Sequence, residues 1–462
     1  MSDSEPKPPL ETLRILTLNC WGLKFISQHR HARLVQIGHE LAALDPPPDI
    51  VALQECWTQA DFHAVRAATA AILPHAKFYH SGIFGGGLVL LSRFPFLETS
   101  MRPYRLNGRP SAFYRGDWYV GKGMATARLR LGPGDVLEVF NTHLHAPYRP
   151  DPQDVYACHR AAQAWELARA MRHAAERGHA VLALGDFNML PASLAHAVVE
   201  AHSPARDLWR VLRPASALGP ATHPAEIARR TAAAAPAPPS SADCLDLHGA
   251  TCDSRFNTWR WPPAARRALS RGHAPPVDAA APDPRAKRLD YIFFADRPHP
   301  PPSSAWHLLS AHVGMRTPHP RLLCSLSDHF SVEATLTRTT TAGGTPLPRP
   351  PLTTPLARPA YDALLALLAR ALARARRQRR LRLSRAGLAL AAHVACVAAA
   401  AWSPGGGVAG ALVVLGGLAL AAGVVEGLLG GLFGGAELRA LREWQGEVRA
   451  AWEGAEEAEM ET

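Results

Sequence analysis

The stretch VLALGDFN at residues 181–188 is an apolar run of strand length that ends in the polar residues Asp186 and Asn188. Apolar runs of similar length recur on both sides of it, each bounded by turn or polar residues. Such runs predict β-strands, and the others cover residues 15–18, 50–53, 88–91, 124–131, 136–141, 290–294 and 331–335. Helical patterns occupy residues 29–44, 61–73 and 154–177. The chain is therefore expected to fold as α+β, with sheets packed against helices.

Polar side chains close or follow six of these predicted strands. They are Asn19 after ILTL, Glu55 after DIVALQ, His143 in NTHLH, Asp186 and Asn188 in GDFN, Asp290 in LDYIFF, and Asp328 with His329 in SDHF. One carboxylate after a strand is most often a helix cap or a turn residue. Six such endings, all built from Asn, Asp, Glu and His, are more than capping explains. We expect them to meet on one rim of a sandwich.

The chemistry of this set favours a hard cation and a phosphate. Oxygen ligands such as Glu55 and the amide of Asn19 suit Mg²⁺ that retains several waters. A histidine beside aspartates can act as a general base near neutral pH. Together these residue types fit metal-assisted attack of water on a phosphodiester.

The order of motifs NCWG, QE, GKG, NTHLH, GDFN, LDYIF and SDHF resembles the endonuclease/exonuclease/phosphatase superfamily. That superfamily includes deoxyribonuclease I, abasic-site endonucleases, inositol polyphosphate 5-phosphatases and neutral sphingomyelinases. The longer stretches LNCWGLKFIS, SGIFGGGLVLLSRFP, NTHLHAPY and TCDSRFNTWR are similar to the neutral sphingomyelinase family, which includes the fungal inositol phosphosphingolipid phospholipases C. The resemblance covers residues 13–213, 244–262 and 286–337, and in architecture alone residues 360–440.

The resemblance implies a four-layer α/β (α+β) sandwich like that of deoxyribonuclease I, with two packed β-sheets flanked by helices. It implies Mg²⁺-dependent hydrolysis of sphingomyelin or an inositol phosphosphingolipid to ceramide and a phosphorylated head group, with Mn²⁺ as a possible substitute ion. Three alternatives remain open at this point. They are a nuclease, an inositol polyphosphate 5-phosphatase, and a catalytically inactive membrane scaffold.

The family pattern also implies roles for the metal and the general base. Glu55 would bind Mg²⁺ directly, with Asn19 close by. His329 would be the general base that activates water, and Asp290 or Asp328 would orient its imidazole.

A second group of residues is implied to hold the phosphate. Asp186, Asn188 and His143 would hold it and stabilise the developing charge. Asp117 and Lys122 lie five residues apart in DWYVGKG, which without the family pattern reads as a turn with an exposed lysine. The resemblance implies that Lys122 lies near the substrate phosphate and that Asp117 can pair with it in a resting state.

The charge of the chain is concentrated. The 50 basic and 39 acidic side chains give a net charge of +11, and residues 370–385 hold eight arginines and no acid. Charge of this kind suits a nucleic acid or a phospholipid surface and does not choose between them.

The apolar runs after the arginines decide in favour of a membrane. Residues 386–402 are apolar except for His393, and residues 408–433 are apolar except for Glu426. Two such runs joined by SPGGG predict a two-helix transmembrane hairpin, and the preceding arginines predict that its flanks are cytosolic. The alternative is a buried helical hairpin of a soluble domain. We expect a membrane-anchored protein that acts on a sphingolipid in a bilayer and meets anionic phospholipids at the basic segment, with no nucleic-acid partner.

The predicted organisation follows from these shifts in composition. It comprises a disordered tail (1–12), a catalytic domain (13–338) with a largely Pro/Ala-rich insertion (214–288), a linker (339–369), the basic juxtamembrane segment (370–385), two transmembrane helices (386–402 and 408–433) and a cytosolic tail (436–462). Most of the insertion is expected to be disordered or loosely ordered, whereas the stretch GATCDSRFNTWRW at 249–261 inside it is expected to be ordered. The seven cysteines form no C-x-x-C pair and the N-terminus carries no apolar signal segment, which favours a reducing compartment. The catalytic domain is expected to face the cytosol from the endoplasmic reticulum or mitochondrial membrane.

Four aromatic residues have two possible roles. Trp21, Phe25, Trp118 and Tyr119 either belong to the core or enter the bilayer interface beside the site, where amphipathic rings are favoured. For Trp21 the core is the favoured interpretation.

Overall fold

The computed structural model of the chain describes residues 10–149, 153–273, 275–298, 304–338 and 343–461. The greater part of the predicted N-terminal tail, residues 1–9, lies outside the described residues. The chain divides into two units, each with its own internal packing. The first comprises Met1–Asn107, Tyr119–Pro147 and Gln163–Thr354, and the second comprises Gly108–Trp118, Tyr148–Ala162 and Pro355–Thr462.

The first unit contains two mixed β-sheets flanked by helices. The strands are β1 (Thr12–Asn19), β2 (Ile50–Gln54), β3 (His75–Tyr79), β4 (Leu88–Ser92), β5 (Phe96–Pro103), β6 (Gly123–Gly132), β7 (Asp135–His143), β8 (Ala180–Asp186), β9 (Arg206–Asp207), β10 (Asp290–Ala295), β11 (His307–Gly314), β12 (Ser331–Thr337) and β13 (Thr345–Pro346). The seven-stranded sheet has the order β13-β11-β12-β1-β2-β4-β3, and the six-stranded sheet has the order β5-β6-β7-β8-β10-β9. The predicted sandwich of two sheets flanked by helices is confirmed.

Short helices connect the strands. They are α1 (Arg30–Ala43), α2 (Gln59–Thr69), α3 (Asp117–Val120), α4 (Ala157–Glu176), α5 (Leu194–Ala201), α6 (Leu208–Leu212), α7 (Pro224–Ala232), α8 (Ser241–Asp246) and α9 (Pro263–Leu269), with 3₁₀ helices at Pro110–Arg115 and Thr258–Arg260. Several begin at a side-chain cap, as where the Thr58 hydroxyl accepts a hydrogen bond from the backbone N–H of Asp61. Such caps satisfy backbone donors that the first helical turn leaves free.

The alternation of side chains along the strands divides the core in two. In β1, Leu13 and Ile15 pack in the cluster shared by both sheets, whereas Leu16 and Leu18 pack with α1 and α2 on the other face. Successive side chains of a strand point to opposite faces, so Asn19 is on the same side as Ile15. The last residue of β1 therefore faces the space between the two sheets.

The segment 214–288 differs from the loosely ordered insertion that its composition suggested. The structure describes helices α7, α8 and α9 within it, outside the stretch 249–261 that was expected to be ordered. Cys244 and Leu245 are buried in the core that the two sheets share. These two buried residues tie the segment to the sandwich.

The second unit is dominated by three long helices. They are α10 (Arg358–Ala401), α11 (Gly406–Leu428) and α12 (Gly434–Glu461), with a π-helical turn at Leu429–Phe433 between the last two. Helix α10 begins at Arg358, inside the predicted linker (339–369). The basic segment and the first apolar run belong to this one helix. The predicted tail from residue 436 is helical as far as Glu461, and its residues Leu441 and Val448 are buried.

Both apolar runs lie in helices that are long enough and apolar enough to cross a membrane. The helical stretches Arg358–Ala401 and Gly406–Glu457 contain windows of mean hydropathy 1.5 and 2.4, of which 0% and 11% are buried. Glu426, the one acid in the second run, lies 2.8 Å from Arg382 and 3.7 Å from Arg385. A charge in an apolar helix is tolerated when it is paired in this way.

Candidate active site

The polar strand ends of the first unit converge between the two sheets. Asp290 of β10 pairs in register with Asp186 of β8, and His143 of β7 pairs with Asp186 on the other side. These three residues therefore occupy the ends of adjacent strands. Asp186 and Asp290 are almost completely buried, and His143 is 6% exposed.

Asn19 connects the two sheets at this point. Its amide nitrogen donates to Glu55 Oε1 at 3.2 Å and to Asp186 Oδ2 at 2.9 Å. One side chain of the seven-stranded sheet thus contacts a carboxylate from each sheet. This is the relationship that the strand-end pattern of the sequence predicted.

Two of the site residues have a left-handed backbone. Glu55 has φ +56° and Asn188 has φ +47°, a region that residues other than glycine rarely occupy. Gly22 permits a close approach to this residue, since a Cβ at Gly22 would lie 2.1 Å from the Glu55 carbonyl oxygen. Strain of this kind is concentrated at functional sites, where the surrounding structure maintains it.

His329 and Asp290 form a buried pair. The imidazole Nδ1 lies 2.8 Å from Asp290 Oδ2, and because a carboxylate only accepts, Nδ1 donates. Burial lowers the pKa of His329, but the Asp290 carboxylate outweighs it and holds this pKa well above its ordinary value. Of the two orienting residues that the family pattern allowed, Asp290 makes the contact. Asp328 Oδ1 instead lies 3.3 Å from the Ser327 hydroxyl oxygen.

The site has the donor set for a divalent cation. Asp186, Asp290 and His329 offer ligand atoms that all lie within 4.8 Å of one another. Glu55 Oε2 and Asp290 Oδ1 are buried oxygens with no hydrogen-bond partner among the described residues. Burial and the nearby Asp328 raise the pKa of Glu55 to about 7, and burial and Asp290 raise the pKa of Asp186. A cation would offset the repulsion among these carboxylates, so the residues fit a divalent metal.

The predicted phosphate-holding residues lie beside this cluster. His143 Nε2 is 3.3 Å from Asp186 Oδ2, and burial and Lys122 lower the pKa of His143. Asn188 and Lys122 both donate to the carbonyl oxygen of Leu144, at 3.1 Å and 2.9 Å. Lys122 is only 5% exposed, so the exposed turn lysine that GKG suggested in isolation is wrong.

Asp117 belongs to the second unit, and its pairing with Lys122 stays a prediction. Within that unit, Asp117 Oδ2 accepts a hydrogen bond of 2.5 Å from the Tyr148 hydroxyl. Trp118 lies in the same unit, with its ring 5.2 Å from that of Phe433. Trp21, in the first unit, is half-buried and packs its ring 4.7 Å from that of Trp259.

Several residues that position the site were missed by sequence reasoning. Gln54 donates to Asn141 Oδ1 at 2.8 Å and so links the sheets beneath the carboxylates. The Ser327 hydroxyl donates to the Asn19 carbonyl oxygen at 2.6 Å and accepts from the His329 N–H at 3.2 Å. Gln54, Asn141 and Ser327 belong to the motifs QE, NTH and SDH. Their place in these motifs was the sequence signal that could have identified them.

Several known proteins are similar to this chain. Over 324 residues the chain is 41% identical to "Inositol phosphosphingolipids phospholipase C" of Schizosaccharomyces pombe, covering 70% of this chain and 68% of that protein. It is 40% identical over 182 residues to "Sphingomyelin phosphodiesterase 2" of Homo sapiens, covering 39% of this chain and 42% of that protein. The structure is similar to sphingomyelinase C from Streptomyces griseocarneus, with a TM-score of 0.44, 19% identity, and coverage of 71% of this chain and 99% of that one.

The alignments span about two thirds of the fungal relative and less than half of the human one. The model of the Endonuclease/Exonuclease/phosphatase family matches residues 16–329, a range that runs from β1 to the histidine of SDHF. This range is more than half of the chain and holds the entire cluster around Asn19. The chain therefore belongs to the endonuclease/exonuclease/phosphatase family.

Proposed function

We propose that this chain is a divalent-metal-dependent phosphodiesterase, with Mg²⁺ as its ion, that removes the phosphorylated head group from a sphingolipid. The observation that supports it most is the convergence of Asn19, Glu55, Asp186, Asp290 and His329 on one buried cluster. The fungal and human relatives are named for sphingolipid hydrolysis, which supports the substrate class. The fungal alignment is the longer of the two, so a phosphoinositol head group is the first to test, with phosphocholine as the second.

His329 is proposed to take a proton from the attacking water. Since Nδ1 donates to Asp290, the proton is accepted at Nε2. The water oxygen forms a bond to phosphorus as the bond from phosphorus to the ceramide oxygen breaks. Ceramide leaves as an alcohol when its oxygen takes a proton from solvent water, and His329 Nε2 then returns its proton to solvent. Asp290 keeps the imidazole in the correct tautomer and stabilises its protonated form.

Lys122, His143 and Asn188 are proposed to hold the phosphate. Lys122 is a buried cation, and such a charge acts strongly on an anion where water is excluded. Asn188 is fixed by its bond to the Leu144 carbonyl oxygen, so its position does not depend on the substrate. Glu55, Asn19 and Asp186 would hold the Mg²⁺, which when bound supplies positive charge that stabilises charge on the phosphate and the leaving oxygen.

The C-terminal helices are proposed to anchor the enzyme in the membrane that contains its substrate. The arginines of residues 370–385 lie on helix α10, and Arg376, Arg377 and Arg380 are exposed. Basic residues close to an anionic leaflet contribute about 1 kcal/mol each. We propose that this segment binds anionic phospholipids on the cytosolic face of the endoplasmic reticulum or mitochondrial membrane.

The function is tested with the full chain in mixed micelles that contain either an inositol phosphosphingolipid or sphingomyelin, with Mg²⁺ or with a chelator. Release of ceramide that requires the ion and is lost in Glu55→Ala and His329→Ala supports the proposal. Cleavage of duplex DNA or of a soluble inositol polyphosphate, with neither lipid hydrolysed, would replace it with another activity of the family. Mn²⁺ in place of Mg²⁺ measures how strictly the site selects its ion.

A further inference from the structure

Two loops of the first unit expose large apolar side chains at their tips. The first rim loop, residues 21–28, exposes 90% of Phe25 and 70% of Ile26. The second rim loop, residues 81–87, exposes 67% of Ile83 and 64% of Phe84. A folded chain gains nothing from such exposure in water, because each side chain leaves its apolar surface hydrated. Clustered exposure of this kind marks an interaction surface.

Both loops lie at the same edge of the seven-stranded sheet as the proposed site. The first rim loop follows β1, which ends at Asn19. The second rim loop precedes β4, which runs antiparallel to β2, so the start of β4 lies beside the end of β2. The N–H of Cys56 donates to the Gly87 carbonyl oxygen at 3.0 Å, which places the second loop directly against the residue after Glu55.

The base of the first rim loop is closed by one guanidinium. Arg33 donates to the Trp21 carbonyl oxygen at 2.7 Å and to the Gln28 carbonyl oxygen at 2.9 Å, so both ends of the loop are held together. Within the loop the N–H of Ser27 donates to the Leu23 carbonyl oxygen at 3.0 Å. Phe25 and Ile26 are therefore held outward by a defined turn.

The base of the second rim loop is fastened to the segment before Lys122. The N–H of Ile83 donates to the Tyr119 carbonyl oxygen at 2.7 Å, and the Ser81 hydroxyl donates to the Gly121 carbonyl oxygen at 2.6 Å. Gly82 permits this approach, because its Cβ would lie 2.5 Å from the carbonyl carbon of Val120. The loop is thus joined to the segment that leads into Lys122, the proposed phosphate-binding cation.

The charge around both tips suits a lipid surface. No acidic residue lies between Cys20 and Glu40, or between Asp61 and Glu98. Lys24 Nζ lies 5.3 Å from the centre of the Phe25 ring, so a cation accompanies the apolar tip. Apolar side chains with adjacent basic groups are the composition of segments that enter the headgroup region of a bilayer. Two apolar helices long enough to span a membrane in the same chain favour a bilayer over a protein partner.

We propose that the two rim loops insert their tips into the lipid interface and hold the rim of the active site against the bilayer. This inference rests on the proposed function for the identity of the lipid that is cleaved, but not for the insertion itself. It gives the first unit its own contact with the membrane, separate from the anchoring helices.

Insertion is measured without reference to activity. Phe25→Cys and Ile83→Cys, labelled with an environment-sensitive fluorophore in the full chain, are reconstituted into vesicles of phosphatidylcholine and phosphatidylserine that carry nitroxide-labelled acyl chains. Ile227→Cys is the matched control, since Ile227 is 46% exposed on helix α7, and the wild-type chain gives the background from native cysteines. We expect quenching at positions 25 and 83 and none at 227. The absence of quenching at both positions would overturn the proposal. A change in fluorescence that depends on protein concentration and not on lipid would overturn it as well.

The consequence for catalysis is measured on two forms of substrate. In Phe25→Ser/Phe84→Ser, hydrolysis of sphingolipid in vesicles is expected to fall at least ten-fold, while hydrolysis of a short-chain, monomeric sphingolipid changes less than two-fold. Ile227→Ser is expected to match wild type on both. An equal loss on both substrates would assign the residues to folding or chemistry and overturn the proposal. If wild type hydrolyses neither substrate, the proposed function fails, and lipid quenching still decides the insertion.

Discussion

The guanidinium of Arg33 donates a 2.6 Å hydrogen bond to the carbonyl oxygen of Leu326, 293 residues further along the chain. The same nitrogen donates to the Cys20 carbonyl oxygen at 3.1 Å. Arg33 is fully buried. A single cation therefore fastens the segment after Asn19 to the segment that leads into Asp328 and His329.

Arg33→Lys is expected to lower kcat at least ten-fold and to raise the Mg²⁺ concentration that gives half-maximal activity. The planar guanidinium of Arg33 donates to four carbonyl oxygens, and a lysine ammonium cannot donate to all four. The two segments would therefore lose their fixed relative position. The measurement is kcat, KM and Mg²⁺ dependence, with the exposed Arg316→Lys as control. A loss of thermal stability with kcat and Mg²⁺ dependence unchanged would show that Arg33 supports folding alone.

Asp290→Asn is expected to reduce kcat by about 10²- to 10⁴-fold, the range of a general-base contribution. The Asp290 carboxylate raises the pKa of His329 against the effect of burial, so its removal lowers that pKa. With His329 as the proposed general base, activity is expected to need its neutral form and to be lost as pH falls through this pKa. The acid limb of the pH–rate profile should therefore move to lower pH in the variant. Asp278→Asn, at an exposed position, should leave the profile in place, and an unmoved limb in Asp290→Asn would contradict the pairing.

The variant Glu55→Gln tests whether Glu55 binds the metal ion, by a measurement that does not depend on catalysis. The wild-type chain should show a higher thermal midpoint with Mg²⁺ than with a chelator, because a ligand at about 100 times its Kd stabilises the folded state by about 2.7 kcal/mol. In Glu55→Gln this shift should shrink or vanish. The midpoint without metal should be at least as high as in wild type, since a buried carboxylate with an orphaned oxygen has been neutralised. A Mg²⁺ shift equal to that of wild type would remove Glu55 from the ligand set.

Substitution of Arg376, Arg377 and Arg380 by Gln is expected to abolish stimulation by anionic phospholipid. Activity on neutral vesicles should stay within two-fold of wild type, because these side chains act through the lipid surface. The control is Gln at three exposed arginines of the first unit, Arg267, Arg271 and Arg321. Equal stimulation in wild type and in the α10 variant would contradict the proposed lipid contact.

Asp207 is expected to make folding stability depend on pH in acid. Although burial raises its pKa, Arg288 at 2.7 Å and His196 lower it to about 2. Its ordinary pKa is about 3.9, so its contribution of about 2 kcal/mol is present above about pH 4 and is lost as pH falls towards 2. The gap in unfolding free energy between wild type and Asp207→Asn should therefore narrow over that range. A gap that stays constant from pH 5 to 2 would contradict the depressed pKa.

The strand ends were predictable from two patterns in the sequence, the apolar runs and the alternation of side chains along a strand. Asn19, Asp186 and Asp290 each end or begin an apolar run, and the two-residue alternation places them on the face between the sheets. Arg33 was not predictable, because its partners lie near residues 20 and 326 and one basic residue on an amphipathic helix looks like surface. The composition of residues 214–288 suggested too little order. The few buried residues, such as Cys244 and Leu245, hold the segment in place although small residues outnumber them.

Helix α10 runs without interruption from Arg358 to Ala401, and its 44 residues correspond to about 66 Å at 1.5 Å per residue. The apolar part, from residue 386 onward, accounts for about 24 Å of this length. The remaining 40 Å or so belongs to the same continuous helix, and α12 packs against α10. Such a continuous helix resists bending, so the basic segment and the first apolar run cannot reorient independently of one another, as they could on the two sides of a flexible linker.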